Sequence, residues 1–320
     1  VDREAMLLDL RAFNHAGDGH RRVVEFPPLG VDPYGTLTPH PDDIRERIRT
    51  LECCAGGRAE IVLAPMVAWL ERLHPPEHFL DSTVKIAVGS ELPPEQLVVA
   101  LCSAGYQRHS LVESLGEIAM RGGIIDVFPS TRAHPVRLEY FGDVIESIRE
   151  FNPRDQRSIR SIESVELPPA QEHFNLAATS IDKTPAILDP NNCSQGGGVY
   201  RAEHEAVGSN AALADYLVDP LWVEIEPESF AEEEKDWAIH LDEHYHRALA
   251  AGHDAALPED LYWNLDKGLR RNDRGRLLMR ELATGGTTSG AFRFIAQPAP
   301  SFQGRMADLA ETVSKCLADG

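Results

Sequence analysis

RGGIIDVFP (Arg121–Pro129) and PVRLEYFGDVIESIR (Pro135–Arg149) are the two stretches whose reading decides the fold. From Val136 to Phe141 the residues alternate, with Val136, Leu138 and Tyr140 on one side and Arg137, Glu139 and Phe141 on the other, the period of a half-buried strand. Gly142-Asp143, glycine first, then leads into Val144 to Phe151, which is a two-residue hairpin signal. Gly122 to Phe128 reads as a further short strand. Leu92-Pro93-Pro94-Glu95 opens a helix that runs through Val98 to about Ala104, with proline tolerated in the first turn. Together these segments predict a compact α+β unit with one polar face. On that face a phenylalanine lies beside arginines, and Arg121 begins the neighbouring strand. A solvent-facing aromatic among arginines is typical of an interface anchor. The competing placement turns Phe141 into the core through a bulge at the hairpin.

Working outward, the preceding residues read as alternating α/β. Arg22 to Phe26 is a short apolar run stopped by Pro27-Pro28, as a buried strand would be. Asp42 and Asp43 are placed to cap a helix with an apolar stripe of Ile44, Ile48 and Leu51. Glu60 to Ala64 is a second buried strand, and a helix follows around Val67 to Leu73. This order argues for a parallel sheet covered by helices. Past residue 171 the pattern loosens. Asn191 to Gly198 is turn-rich, and Leu221 to Ile225 reads as a strand. A long acidic helix then carries Phe230, Trp237, Leu241, Tyr245 and Leu249 along one face. Gly285 to Gly290 is linker-like, and a last helix spans about Met306 to Leu317.

The 320 residues are enough for two or three domains. No run approaches the ~18–20 apolar residues of a membrane helix, and the start at Val1 lacks the pattern of a signal peptide. The net charge is −20, with residues 171–320 carrying 13 basic and 25 acidic side chains. Such a surface repels phosphate backbones, so a protein partner is expected ahead of nucleic acid. The five cysteines (Cys53, Cys54, Cys102, Cys193 and Cys316) contain no C-x-x-C pair and are expected to be reduced thiols.

Two constellations could carry chemistry. His240-Leu-Asp-Glu243-His244 fits the pattern H-x-x-E-H, in which two imidazoles hold zinc and the carboxylate activates water, with His246 as a spare ligand. The competing reading is the solvated side of an amphipathic helix whose apolar face is Trp237, Leu241 and Tyr245. Glu224 and Glu226 flank a strand tip where a metal-holding acid could sit, against the plainer reading of a solvated strand end. No G-x-x-x-x-G-K-[ST] occurs, and neither Gly56-Gly57 nor Gly196 to Gly198 is followed by a phosphate-reaching lysine, so nucleotide hydrolysis is unsupported.

Gly105-Tyr106, the two stretches quoted at the outset, and Asp155-Gln-Arg157-Ser158 closely resemble the UvrA-interacting module shared by UvrB of bacterial nucleotide excision repair and the transcription-repair coupling factor (Mfd). Pro33-Tyr34-Gly-Thr-Leu-Thr-Pro39-His40, continuing to Leu51, resembles the coupling factor's first domain, and Gln297 to Arg305 resembles its return to that domain. The aromatic-rich DNA-clamping hairpin of UvrB is replaced before Ile44 by a short loop, which favours the coupling factor. The resemblance is strongest at 26–165 and 294–320, and weakest at 175–290. It implies a chain cut within its first domain at both ends, with a degenerate phosphate loop expected upstream of Val1.

The fold the resemblance implies is α/β: an incomplete P-loop-hydrolase-like parallel sheet (1–88, returning at 291–320), an inserted α+β UvrA-interaction domain (89–170), and a looser α/β subdomain (171–290). The function it implies is recruitment of UvrA by docking in the cytoplasm, through Arg121, Arg137 and Phe141, with Glu139 and Asp143 as rim charges. No cofactor and no catalysis are expected of this chain. ATP, Mg, RNA polymerase and DNA would belong to later motor domains of a translocase. A UvrB-like excision subunit is the alternative, and a zinc hydrolase at 240–244 the remote one.

Overall fold

The computed structural model describes residues 3–16, 22–35, 37, 39–172, 210–253, 255–268 and 276–280. The expected loop at 191–198, the linker at 285–290, the last helix and the 297–305 segment lie outside them. The chain opens with helix α1 (Arg3–Ala16). Strand β1 (Val23–Glu25), helix α2 (Pro41–Ala55) and strand β2 (Ile61–Leu63) then form a parallel unit, with Val23 opposite Ile61. His40, not the two aspartates, caps α2, because its Nδ1 accepts the Asp42 N–H at 3.3 Å. Pro41 takes the first helical position, which needs no N–H partner, and Asp42 and Asp43 sit in the first turn where acids complement the helix dipole. Two short helices follow, α3 (Met66–Leu70) and α4 (Pro76–Asp81). The first of them stops short of the expected Leu73, because Glu71 and Leu73 bridge in β fashion to Tyr262 and Ala211.

β3 (Val84–Ala87) pairs antiparallel with β10 (Ser164–Leu167), and helix α5 (Pro94–Ser103) lies between them in sequence. The central feature is a six-stranded sheet, in the order β4 (Gln107–Arg108), β5 (Glu117–Arg121), β6 (Ile124–Val127), β7 (Val136–Phe141), β8 (Val144–Phe151) and β9 (Ser158–Ile162). All neighbours are antiparallel except β4 and β5. Gly122-Gly123 is therefore a turn between β5 and β6, and not the start of a strand. Gly122 has φ +58, and a Cβ on Gly123 would stand 3.1 Å from the Tyr140 carbonyl, so both positions need glycine.

The inner face of this sheet buries Ile118, Ile125, Val127, Val136, Leu138, Ile145 and Ile148 against Leu97, Val98 and Leu101 of α5. Val84, Ile86, Val165 and Leu167 of the β3–β10 pair belong to the same core. The outer face is covered at one end only, where Val112, Ala119, Phe128 and Phe151 cluster with Leu115.

A second core joins the parallel unit to later residues. Phe26, Ile48, Leu51, Trp69 and Phe79 pack with Ala212, Leu213, Tyr216 and Trp222. Within it Arg47 is fully buried over the Phe26 ring, ion-paired with Glu71 and Glu172, and its Nη1 donates to the Pro27 carbonyl at 2.6 Å. Burial raises the Glu71 carboxyl to about 7 even with Arg47 beside it. Strand β11 (Trp222–Ile225) pairs parallel with β12 (Arg276–Met279). The long helix α6 (Pro227–Ala250) buries Leu241 and Ala248 and is followed by α7 (Pro258–Leu261) and α8 (Leu265–Gly268). Ala248 takes the inward place expected for Leu249, which is exposed. Cys53 and Cys54 are free and buried, whereas Cys102 is disulfide-bonded, which corrects the expectation that all five thiols are reduced.

Candidate protein-docking surface

The uncovered end of the outer sheet face is where β5–β6 and β7–β8 make their tight turns. Pairing registers set its side chains next to one another: Arg121 opposite Ile124, Ile124 opposite Glu139, Asp126 opposite Arg137, Arg137 opposite Arg149, and Phe141 opposite Val144. The β7–β8 turn has positive φ at Gly142 (+61) and not at Asp143, as a glycine-first turn requires. Its backbone is braced by the segment before α5: Gly89 N–H donates to the Ile145 carbonyl at 2.8 Å, and Leu92 N–H donates to the Asp143 carbonyl at 2.8 Å. The hairpin tip carrying Phe141 is thus held on the β7 side by the sheet, where Tyr140 N–H donates to the Gly123 carbonyl at 2.8 Å, and on the β8 side by the segment before α5.

Phe141 is 80% exposed. A bulge does occur, between Glu139 and Tyr140 in the pairing with β8, yet it does not turn the ring inward. The bulge absorbs its extra residue on β8, so Ile145 and Ile148 both reach the core while β7 keeps its strict alternation. Ile124 and Val144, also exposed, stand beside Phe141 as smaller apolar neighbours.

The arginines are organised by a carboxylate beneath them. Asp126 is 1% exposed and accepts Arg137 Nε on Oδ1 at 2.7 Å and Arg137 Nη2 on Oδ2 at 2.8 Å. Arg121 Nη2 donates to the same Oδ2 at 2.9 Å. Arg137 also stacks 4.5 Å above the Phe151 ring and reaches the Gln156 Oε1 at 3.1 Å. The Asp126 hydrogen bonds hold the Arg137 guanidinium more firmly protonated than usual. Glu139 accepts the Ser147 hydroxyl at 2.6 Å and pairs with Arg149 at 3.2 Å. Asp143 lies exposed at the turn.

All five residues singled out from the sequence therefore gather at one end of one sheet. Sequence reasoning missed Asp126, Ile124, Val144, Arg149 and Gln156. Alternation within Ile124–Val127 does put Ile124 and Asp126 on one face, but only the β6–β7 register brings Asp126 against Arg137.

The other constellations do not assemble. His244 Nδ1 pairs with Asp32 Oδ2 at 2.6 Å, His240 Nδ1 faces the Asp236 carbonyl at 2.7 Å, and His246 Nε2 lies 3.6 Å from Asp242. Glu224 pairs with Arg276, and Glu226 sits in left-handed backbone at φ +54 before α6. Among the described residues no three His, Cys, Asp or Glu side chains are placed to hold a metal ion, and no helix is long and apolar enough to cross a membrane.

Residues 84–173 match the UvrB interaction domain. The chain is similar to a transcription-repair-coupling factor of Bacillus subtilis, 41% identical over 127 residues, which cover 40% of this chain and 11% of that protein. It is also similar to those of Haemophilus influenzae, 35% identical over 150 residues (47% and 13%), and Myxococcus xanthus, 36% identical over 152 residues (47% and 13%). The matched stretch thus spans little more than a tenth of these relatives.

Proposed function

We propose that this chain, through its UvrB interaction domain, is the UvrA-recruiting region of a transcription-repair coupling factor, acting by docking and without catalysis of its own. The observation that carries the reading is Phe141, an aromatic side chain left 80% exposed on a braced hairpin, with Ile124 and Val144 beside it and Arg121 close by. A centre of aromatic and aliphatic surface rimmed by arginine has the composition of a binding hot spot. Arg137, Glu139, Arg149 and Asp143 extend the rim. The match to the UvrB interaction domain fits both the coupling factor and a UvrB-like subunit, and the three similar proteins named above favour the former.

The parallel unit built from β1, α2 and β2 is read as part of an incomplete P-loop-hydrolase-like domain that carries this module. In the whole protein, contacts with RNA polymerase and DNA, and any use of ATP and Mg, would fall to other domains in the cytoplasm. The reading is tested by titrating purified UvrA with this chain and following association by calorimetry. Saturable binding that weakens in Arg121→Ala is expected. Absence of binding by the wild-type chain overturns the function.

A further inference from the structure

We propose that Asp126 is a positioning residue for partner recognition, a buried carboxylate that sets the direction in which Arg121 and Arg137 present their charge. The inference rests on the docking reading above. At 1% exposure Asp126 cannot itself meet a partner. Both of its oxygens are occupied, Oδ1 by Arg137 and Oδ2 by Arg137 and Arg121 together. One negative charge thus serves two guanidinium groups, so this three-residue cluster keeps one positive charge in excess for a carboxylate on the partner.

The geometry points to orientation as the role. The side-by-side engagement of Nε and Nη2 fixes the plane of the Arg137 guanidinium as a single hydrogen bond would not. The Phe151 ring below it and the Gln156 amide beside it remove the remaining freedom. Gln156 holds its place in left-handed backbone at φ +60, a conformation that costs energy for a residue with a Cβ, and its Nε2 is tied back to the Pro153 carbonyl at 2.9 Å. Long cationic side chains lose rotamer freedom on binding, and holding them beforehand removes that cost from association. Arg121 is held by one bond and is half exposed, so it is the side chain whose direction depends most on Asp126.

The test is a mutant cycle read as affinity for purified UvrA. Asp126→Asn in the intact chain is expected to weaken binding about tenfold, with the sheet still folded by circular dichroism. In a background already carrying Arg121→Ala and Arg137→Ala, the same change is expected to add nothing, because the groups it positions are gone. A merely structural role would leave the full loss in that background. Asp126→Glu covers the case in which the asparagine variant fails to fold, since it keeps the charge but moves the oxygens by one methylene; weaker binding is expected from it. Full affinity in a folded Asp126→Asn or Asp126→Glu variant, or an undiminished loss in the double-arginine background, overturns the inference. If wild type binds and Phe141→Ala weakens binding while the Asp126 variants do not, positioning fails and docking stands. If wild type does not bind UvrA, both fail.

Discussion

Replacing Phe141 by alanine separates binding from folding more cleanly than any other change on this surface. The ring is 80% exposed and contributes to none of the buried clusters, so its loss should cost the fold no more than ~0.5 kcal/mol. Its value in a complex is much larger. A phenylalanine side chain buries on the order of 200 Å², and four-fifths exposure leaves roughly 160 Å² of that available to a partner. At ~25 cal/mol per Å² complete burial is worth about 4 kcal/mol. Ordering and desolvation on association reduce what is observed, so a loss of about 1–3 kcal/mol is expected, or roughly a 5- to 150-fold rise in Kd for UvrA. Calorimetric titration of UvrA with wild type and Phe141→Ala, each paired with a thermal melt, measures both quantities. Equal affinity with unchanged melts would refute the anchor assignment. A large fall in Tm would refute the reasoning differently, by showing that the ring is packed in solution.

The buried ion cluster offers a stability test away from that surface: Arg47→Met leaves Glu71 and Glu172 without their counter-charge, and urea unfolding should show a loss of about 3–5 kcal/mol. A loss below ~1 kcal/mol would show that the cluster does not tie the two ends of this region together. Two carboxyls shape the pH dependence with opposite signs. Glu71, raised by burial from 4.5 to about 7, keeps a proton in the folded chain that the unfolded chain has released, so its contribution is complete below 4.5 and is lost as pH rises through 7. Glu150, held down to about 2 by hydrogen bonds from Arg160 and then Arg132, contributes above 4.5 and loses that contribution as pH falls toward 2. As pH rises from 4.5 to 7 the urea midpoint of the wild type should fall below that of Glu71→Gln: the substitution is expected to flatten that fall and leave the acid limb unchanged. An acid limb altered by Glu71→Gln, or a fall it does not flatten, would contradict these assignments.

Much of the six-stranded sheet and of its candidate surface was legible in the residues because the signals are local. Alternation in Val136–Phe141 placed arginine and phenylalanine on one face, and a glycine-first pair located the turn, since side-chain direction in a strand has period two and a tight turn needs positive φ. The same reasoning misplaced the start of β6, because Gly122-Gly123 closes a hairpin whose first strand, Glu117–Arg121, carries little alternation. It chose Leu249 over Ala248 on α6, where the size of a residue says less than its angle around the helix.

The sequence by itself determined the strand faces, the turn and the resemblance that names a partner, all of which depend on residues near one another along the chain. Only the tertiary structure decided whether the bulge would hide Phe141, and it does not, because β8 takes the extra residue. It also decided that Asp126 lies beneath two arginines and that Arg47 is an interior residue between two glutamates. Those outcomes depend on strand register and on groups as distant as Arg47 and Glu172, which periodicity cannot bring together. A buried charge is tolerated only where folding supplies its partners, so its place is set by the fold as a whole.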